Sequence, residues 1–210
     1  MEKIYPFLEQ VFDENSIALR RKKFFSLVGD IYENEDFYHE RINAFLEWLL
    51  TEADIQKNGR PVLSFILDRG VSNLDEETRR IAEAMIKSRR SVFMLVRKET
   101  EFAVLEDIFD KDRFFVDPDP RIENTDKKSL VETRVCFLDG RSRIMSTYLK
   151  YPENIKKILL KRLRKMGGTN MVSREKFIDY SFALFVRNER YRNIPVEKIA
   201  ESLDYLLAVN

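Results

Sequence analysis

The dipeptide Asp139-Gly140 constrains this chain more than any other feature. It separates two segments of alternating apolar and polar residues, Leu130 to Leu138 and Arg141 to Tyr148. Asp-Gly between alternating segments favours a two-residue turn with positive φ, whose twist matches that of antiparallel strands. Such a turn pairs Leu138 with Arg141 and Phe137 with Ser142. Continued along the strands, the register sets Val135 opposite Ile144, Thr133 opposite Ser146, and Val131 opposite Tyr148. These residues share the face expected to be buried, with Glu132, Arg134, Met145 and Thr147 on the other.

Three further short runs precede the hairpin. They are Val92 to Val96, Phe102 to Leu105, and Arg113 to Val116, the last two separated by a turn at Asp110-Lys111-Asp112. Asp117-Pro118-Asp119-Pro120 reads as a loop, because two prolines cannot donate to a central ladder. Five short strands in about sixty residues imply a small antiparallel sheet or partly open barrel.

Helical periodicity flanks this unit. On the N-terminal side the spacing predicts helices around Tyr5 to Val11, over Leu19 to Tyr32, and over Phe37 to Thr51 with Asp36 as cap. A turn at Asn58-Gly59-Arg60-Pro61 precedes a short helix, Val62 to Asp68, ended by Gly70. Ser72, Asp75 and Glu76 open another helix that runs to Lys87, with Leu74, Ile81, Met85 and Ile86 as its inner stripe. On the C-terminal side Pro152 opens a helix that runs to Met166 and stops at Gly167-Gly168. One more follows Ser173, and Pro195 opens the last. The fold class is therefore α+β. An N-terminal helical unit (residues 1–88) is followed by a small five-stranded antiparallel sheet or partly open barrel (89–150) and a C-terminal helical unit (151–210). These are either separate domains or one compact body.

Composition narrows the chemistry. Charged residues make up 35% of the chain, yet the formal net charge is only +1. No global field therefore points to nucleic acid or membrane, and any electrostatic function rests on local patches. One cysteine, Cys136, and one histidine, His39, exclude an internal disulfide framework and the common cysteine- and histidine-based metal sites. No cofactor is expected. The start, MEKIYPFLEQVFDENS, lacks the basic and apolar regions of a leader. The longest strongly apolar run, Tyr180 to Val186, is too short to span a bilayer. The expected setting is cytoplasmic, with no membrane partner.

From Phe45 to Met166 the chain carries FLEWLL, RPVLSFILDRG, LDEETRR, SRRSVFMLV, FAVLEDIFD and KSLVETRVCFLDGRSRIMS in that order. In this it resembles a group of uncharacterised bacterial proteins whose helical and β unit is often followed by a SEC-C zinc motif. No cysteine cluster follows Cys136, so that zinc site does not carry over. The resemblance implies no activity.

Individual residues point mostly to structure. Trp48 lies in an apolar helix face and is expected to pack. His39 has no partner fixed by the sequence, and Cys136, between Val135 and Phe137, reads as an inert strand residue. Asp107, Asp110, Asp112, Asp117 and Asp119 form the densest acidic cluster, but their spacing does not match a calcium loop. No catalytic or metal residues are assigned. Basic clusters occur at Arg20-Arg21-Lys22-Lys23, at Arg89-Arg90, and in the helix after Pro152. On a helical wheel Ile155, Ile158, Leu159, Leu163 and Met166 fall on one side of that helix. Lys157, Lys161 and Arg164 fall on the other, with Lys165 at the flank, as candidate contacts for an anionic partner. Arg162 projects within the apolar stripe and requires a carboxylate or an escape to solvent. The leading expectation is a non-enzymatic binding or scaffolding protein with a protein partner. The alternative is a nucleic-acid-binding protein using the β unit and the helix at 152–166. A hydrolase or transferase built on the acidic loop ranks third.

Overall fold

The computed structural model describes residue 8 and residues 14–53, 60–68, 74–166 and 171–207, with the side chains of 171–173 left aside. The expected opening helix lies outside these residues except for buried, helical Leu8. The expected features at Asn58-Gly59, Gly70, Ser72 and Gly167-Gly168 lie outside them too.

Among the described residues four helices with defined bounds precede the strands: α1 (Glu14–Val28), α2 (Tyr38–Thr51), α3 (Val62–Asp68) and α4 (Glu76–Ile86). The first stops four residues before the expected Tyr32. Gly29 has φ +99°, a left-handed conformation that L side chains rarely adopt and that ends a helix at low cost. The fully buried Arg41 of α2 then gathers the open backbone. Its guanidinium binds the carbonyls of Gly29 and Asp30 and lies 2.6 Å from the Glu35 carboxylate. Asp36 does not cap α2: the N-cap is Phe37, with no side-chain bond, and Asp36 faces Arg192 at 3.8 Å. At α4 the cap is Asp75, whose carboxylate accepts from the Thr78 N–H at 2.7 Å.

The strands are β1 (Arg89–Lys98), β2 (Ala103–Asp107), β3 (Arg113–Val116), β4 (Leu130–Leu138) and β5 (Arg141–Lys150). They form a closed barrel in the order β1-β2-β3-β5-β4. Four junctions are antiparallel. The fifth, β3 to β5 through Val116 and Ser142, is parallel, which corrects the expectation of a purely antiparallel sheet. Within the expected proline loop a short helix, α5 (Pro120–Glu123), forms with Asp119 as N-cap and Pro120 in its first turn. Its Ile122 joins Phe93, Leu95, Leu105, Val116 and Val131 in the barrel core. Strand order, directions and this plug helix between β3 and β4 are those of an OB barrel.

Asp139 and Gly140 both have positive φ, and the turn pairs Leu138 with Arg141, Phe137 with Ser142, and Val135 with Ile144, as the dipeptide predicts. Beyond Val135 the register shifts: Thr133 faces Tyr148 rather than Ser146, and Val131 faces Lys150 rather than Tyr148. The irregularity between Thr133 and Val135 accounts for the slip and bends the strand, as closure of a small barrel requires. The predicted inner face is inside. The opposite face is buried as well: Glu132, Arg134, Met145 and Thr147 are all covered.

What covers them is helical. After the barrel come α6 (Glu153–Met166), α7 (Met171–Arg190) and α8 (Val196–Ser202), followed by a single 3-10 turn, Asp204–Leu206. Ser173, expected before its helix, lies inside α7. Phe24 of α1 packs on Phe45 and Trp48 of α2 and on Phe182 of α7. Helices from before and after the barrel thus share one apolar core, which continues onto β1, β4 and β5 through Val92, Leu130, Met145 and Leu149.

Candidate nucleic-acid interface

Among the described residues no helix makes an extensive contact with β3, whose outer residues Arg113 and Phe115 are exposed, and the surface there is aromatic. By strand alternation Phe114 and Val116 of β3 turn toward the interior, while Phe115 turns out. Phe115 is 61% exposed. Phe102, in the β1–β2 turn, lies 5.6 Å from it ring to ring, and Arg97 stacks over Phe102 at 5.6 Å. Phe137, at the end of β4, is 67% exposed. The parallel β3–β5 junction brings these elements to one depression of about 760 Å³. The β1–β2 turn (Glu101, Phe102) bounds one side and the β4–β5 turn (Phe137, Gly140, Arg141) another, with β3 as the floor.

Four guanidiniums border the rings, each beside a carboxylate. Arg97 Nε lies 2.7 Å from Glu99, and Arg113 Nη2 lies 2.9 Å from Glu106. Arg141 and Arg143 share Asp117, at 3.6 and 3.1 Å. All four arginines are well exposed, so these pairs are worth at most about 1 kcal/mol each and exchange readily. An exposed ring gains nothing from folding, whereas clustered exposed rings mark a surface that meets a partner.

The predicted α6 ridge is present. Ile155 and Leu159 are buried, whereas Lys157, Lys161, Arg164 and Lys165 are exposed and form no ion pair among the described residues. Arg162 does what its position demands: it binds Asp204 at 2.6 Å and lies over the Tyr180 ring at 5.4 Å. Because α6 leaves the end of β5 remote from the Asp139-Gly140 turn, ridge and depression are distinct surfaces.

The acidic cluster is dispersed among cations. Asp107 and Asp110 bind Arg174, Asp110 and Asp112 bind Arg89, and Asp119 caps α5 while chelating Arg121. Among the described residues no group of three or more metal-ligating side chains is placed to hold an ion. His39 is exposed and edge-on to Tyr38. Trp48 packs as expected. Burial pushes the Cys136 thiol up, away from thiolate.

A second depression, of about 610 Å³, lies where α2, α4 and α7 meet the barrel and is lined by Glu52, Arg89, Arg90, Arg134, Arg174 and Glu175 among others. Its floor is a buried charged layer. Arg90 lies 2.9 Å from Glu132 and 3.2 Å from Asp179. Glu132 also accepts a short hydrogen bond from the Tyr151 hydroxyl. Arg134 pairs with Glu52. Burial opposes the charge on Arg90, but the Glu132 and Asp179 carboxylates outweigh it and hold its pKa above the usual arginine value. Arg89-Arg90 stands out in the sequence as a basic cluster. Glu47 and Asp179 do not stand out, since nothing in one chain's periodicity says that helices will roof the outer face of β4.

A family model matches residues 2–197. The chain belongs to a family of unknown function, DUF7986. No curated protein and no solved structure matches it. Among the described residues no helix is long and apolar enough to cross a membrane.

Proposed function

We propose that this DUF7986 protein is a non-enzymatic binding protein whose ligand is single-stranded nucleic acid, held on the open face of the barrel. The observation that carries this reading is the convergence of Phe102, Phe115 and Phe137 with Arg113 and Arg141 in the depression between the β1–β2 and β4–β5 turns, with Arg143 beside it on Asp117. On barrels of this topology strands 2 and 3 and these two turns form the ligand face, an argument from fold that the residues must support on their own. They do so chemically. Each base stacked on an aromatic ring contributes about 1–3 kcal/mol whatever its identity, and each guanidinium can exchange its carboxylate for a backbone phosphate. Rings alternating with guanidiniums match a strand that alternates bases and phosphates, which is why nucleic acid ranks here above the protein partner first expected. Lys157, Lys161, Arg164 and Lys165 form a separate anionic contact in this proposal. The proposed setting is the cytoplasm of a bacterium, in keeping with the resemblance to uncharacterised bacterial proteins and with a lone, protonated thiol. The SEC-C zinc motif has no counterpart in the proposal.

The test is fluorescence anisotropy with a labelled single-stranded oligonucleotide of mixed sequence, at low and at moderate salt. Binding is expected, weaker by a factor of about 10–100 in the Phe115→Ala, Phe137→Ala double variant, with the thermal midpoint little changed. A wild-type protein that leaves the anisotropy flat at low salt would sink the reading, as would a double variant with unaltered affinity.

A further inference from the structure

Asp117 occupies an unusual position on the proposed face. It lies at the seam where β3 and β5 run parallel, and its backbone N–H donates to the Ser142 carbonyl at 2.9 Å. That bond fixes the residue between Arg141 and Arg143, which stand two apart on β5 and so project from the same side. The two carboxylate oxygens are divided between them: Oδ2 lies 3.1 Å from Arg143 Nε, and Oδ1 lies 3.6 Å from Arg141 Nη1. One anion offering two oxygens to two guanidiniums is the arrangement a phosphodiester would make. The side chain is about one-quarter exposed and lines the depression that holds Phe115 and Phe137.

We propose that Asp117 is an internal stand-in for a nucleic-acid phosphate, and that Arg141 and Arg143 form a phosphodiester subsite from which the bound strand displaces it. The proposal rests on the reading of this face as a single-strand site. It adds where a phosphate sits and what the strand competes with. The competition limits affinity: until the strand arrives, two of the four guanidiniums beside the rings share one negative charge on a group that cannot diffuse away. It also limits the salt dependence, because an arginine already paired within the protein binds phosphate with less change in the ion atmosphere. Favourable binding then requires stacking on Phe115 and Phe137 as well as charge.

Asp117→Asn removes the charge and keeps the backbone bond and the side-chain shape. The variant should bind the same labelled oligonucleotide about 5–10-fold more tightly at low salt. Its slope of log affinity against log salt should be steeper by roughly 0.7, the value of one single-strand phosphate. Adding Arg141→Gln and Arg143→Gln to Asp117→Asn should abolish the gain, and an oligonucleotide with uncharged methylphosphonate linkages should show none. Equal or weaker binding by Asp117→Asn, with wild-type binding intact and the thermal midpoint unchanged, overturns the stand-in while leaving the single-strand site standing. Absence of binding by both wild type and Asp117→Asn overturns site and stand-in together. A gain that survives loss of both arginines shows general charge removal rather than a phosphate subsite, and also overturns it.

Discussion

The barrel shows two different surfaces on its two sides. Where β1, β4 and β5 meet the helices, each ion pair or cluster has a buried member matched by an opposite charge: Glu132 with Arg90, which also meets Asp179, Arg134 with Glu52, and Asp107 with Arg174. Where β3 and the end of β4 face solvent, large apolar rings stand exposed beside arginines in loose pairs. Each side inverts the usual placement of its residue types. On the covered side the inversion has a structural use. Taking charges out of water is costly, and a buried pair restores little net stability. It does fix register, however, because a helix docked one residue out would strand a carboxylate. On the open side Phe115 packs only in part, against Phe102, and most of its ring and of Phe137 stays in solvent, which is the exposure the proposed ligand would cover.

The comparison breaks most visibly at Arg90. Replacing it by Met leaves the buried Glu132 and the half-buried Asp179 without their cation and should cost about 3–5 kcal/mol, read as a drop in the urea midpoint. Adding Glu132→Gln should recover part of the loss, since Gln still accepts from the Tyr151 hydroxyl. Arg141→Met on the open face should cost no more than about 0.5 kcal/mol. Similar losses at the two arginines would remove the distinction between the sides.

A smaller effect sharpens the same contrast. Glu47 of α2 is buried, and its carboxylate accepts from the Thr147 N–H of β5 at 2.8 Å. Burial raises its pKa above the ordinary value of 4.5, against the pull of the Thr147 bond and of Arg134. The fold therefore favours the protonated form. The stability this gives is complete below the unfolded value near 4.5 and is lost as pH rises through the higher folded value. Glu47→Gln keeps the acceptor and mimics the protonated group, so it should become progressively more stable than wild type as pH rises above about 4.5. Glu47→Leu leaves the Thr147 N–H unpaired and should cost about 1–3 kcal/mol at every pH. A Gln variant that tracks wild type from pH 4 to 8 would show Glu47 to be solvated as an ordinary surface acid.

The strands, the hairpin turn and the register to Val135 were legible because alternation and Asp139-Gly140 are local signals. The slip beyond Val135 was not, since it answers to barrel closure, a demand set by all five strands together. For the same reason the parallel junction through Val116 and Ser142 could not be read from either strand. The α6 ridge was legible because both of its faces lie within one helix. The aromatic face was not. Phe102, Phe115 and Phe137 come from three segments, and each looks alone like an ordinary core residue. Only topology places them together, with no covering helix over them among the described residues.

The α6 ridge carries the smallest expected change in stability and extends the contrast to cations that have no pair. Arg164 and Lys165 lie in the last turn, where the helix dipole favours positive charge. That leaves Lys157 and Lys161 unexplained. They stand four residues apart, Lys161 and Lys165 repeat the spacing, and like charges so placed repel by a few tenths of a kcal/mol. A ridge that only solvated the helix would be improved by neutral side chains. Changing Lys157, Lys161 and Arg164 to Gln should therefore leave the urea midpoint unchanged or slightly raised. The same variant should bind the single-stranded oligonucleotide more weakly and lower the salt slope by about two units, roughly 0.7 for each lost phosphate contact. If affinity and slope match those of wild type, the strand does not reach α6 and the barrel face acts alone. If stability falls by more than about 1 kcal/mol, the ridge belongs with the structural charges of the covered side, and the division between paired structural charges and unpaired ones fails at α6.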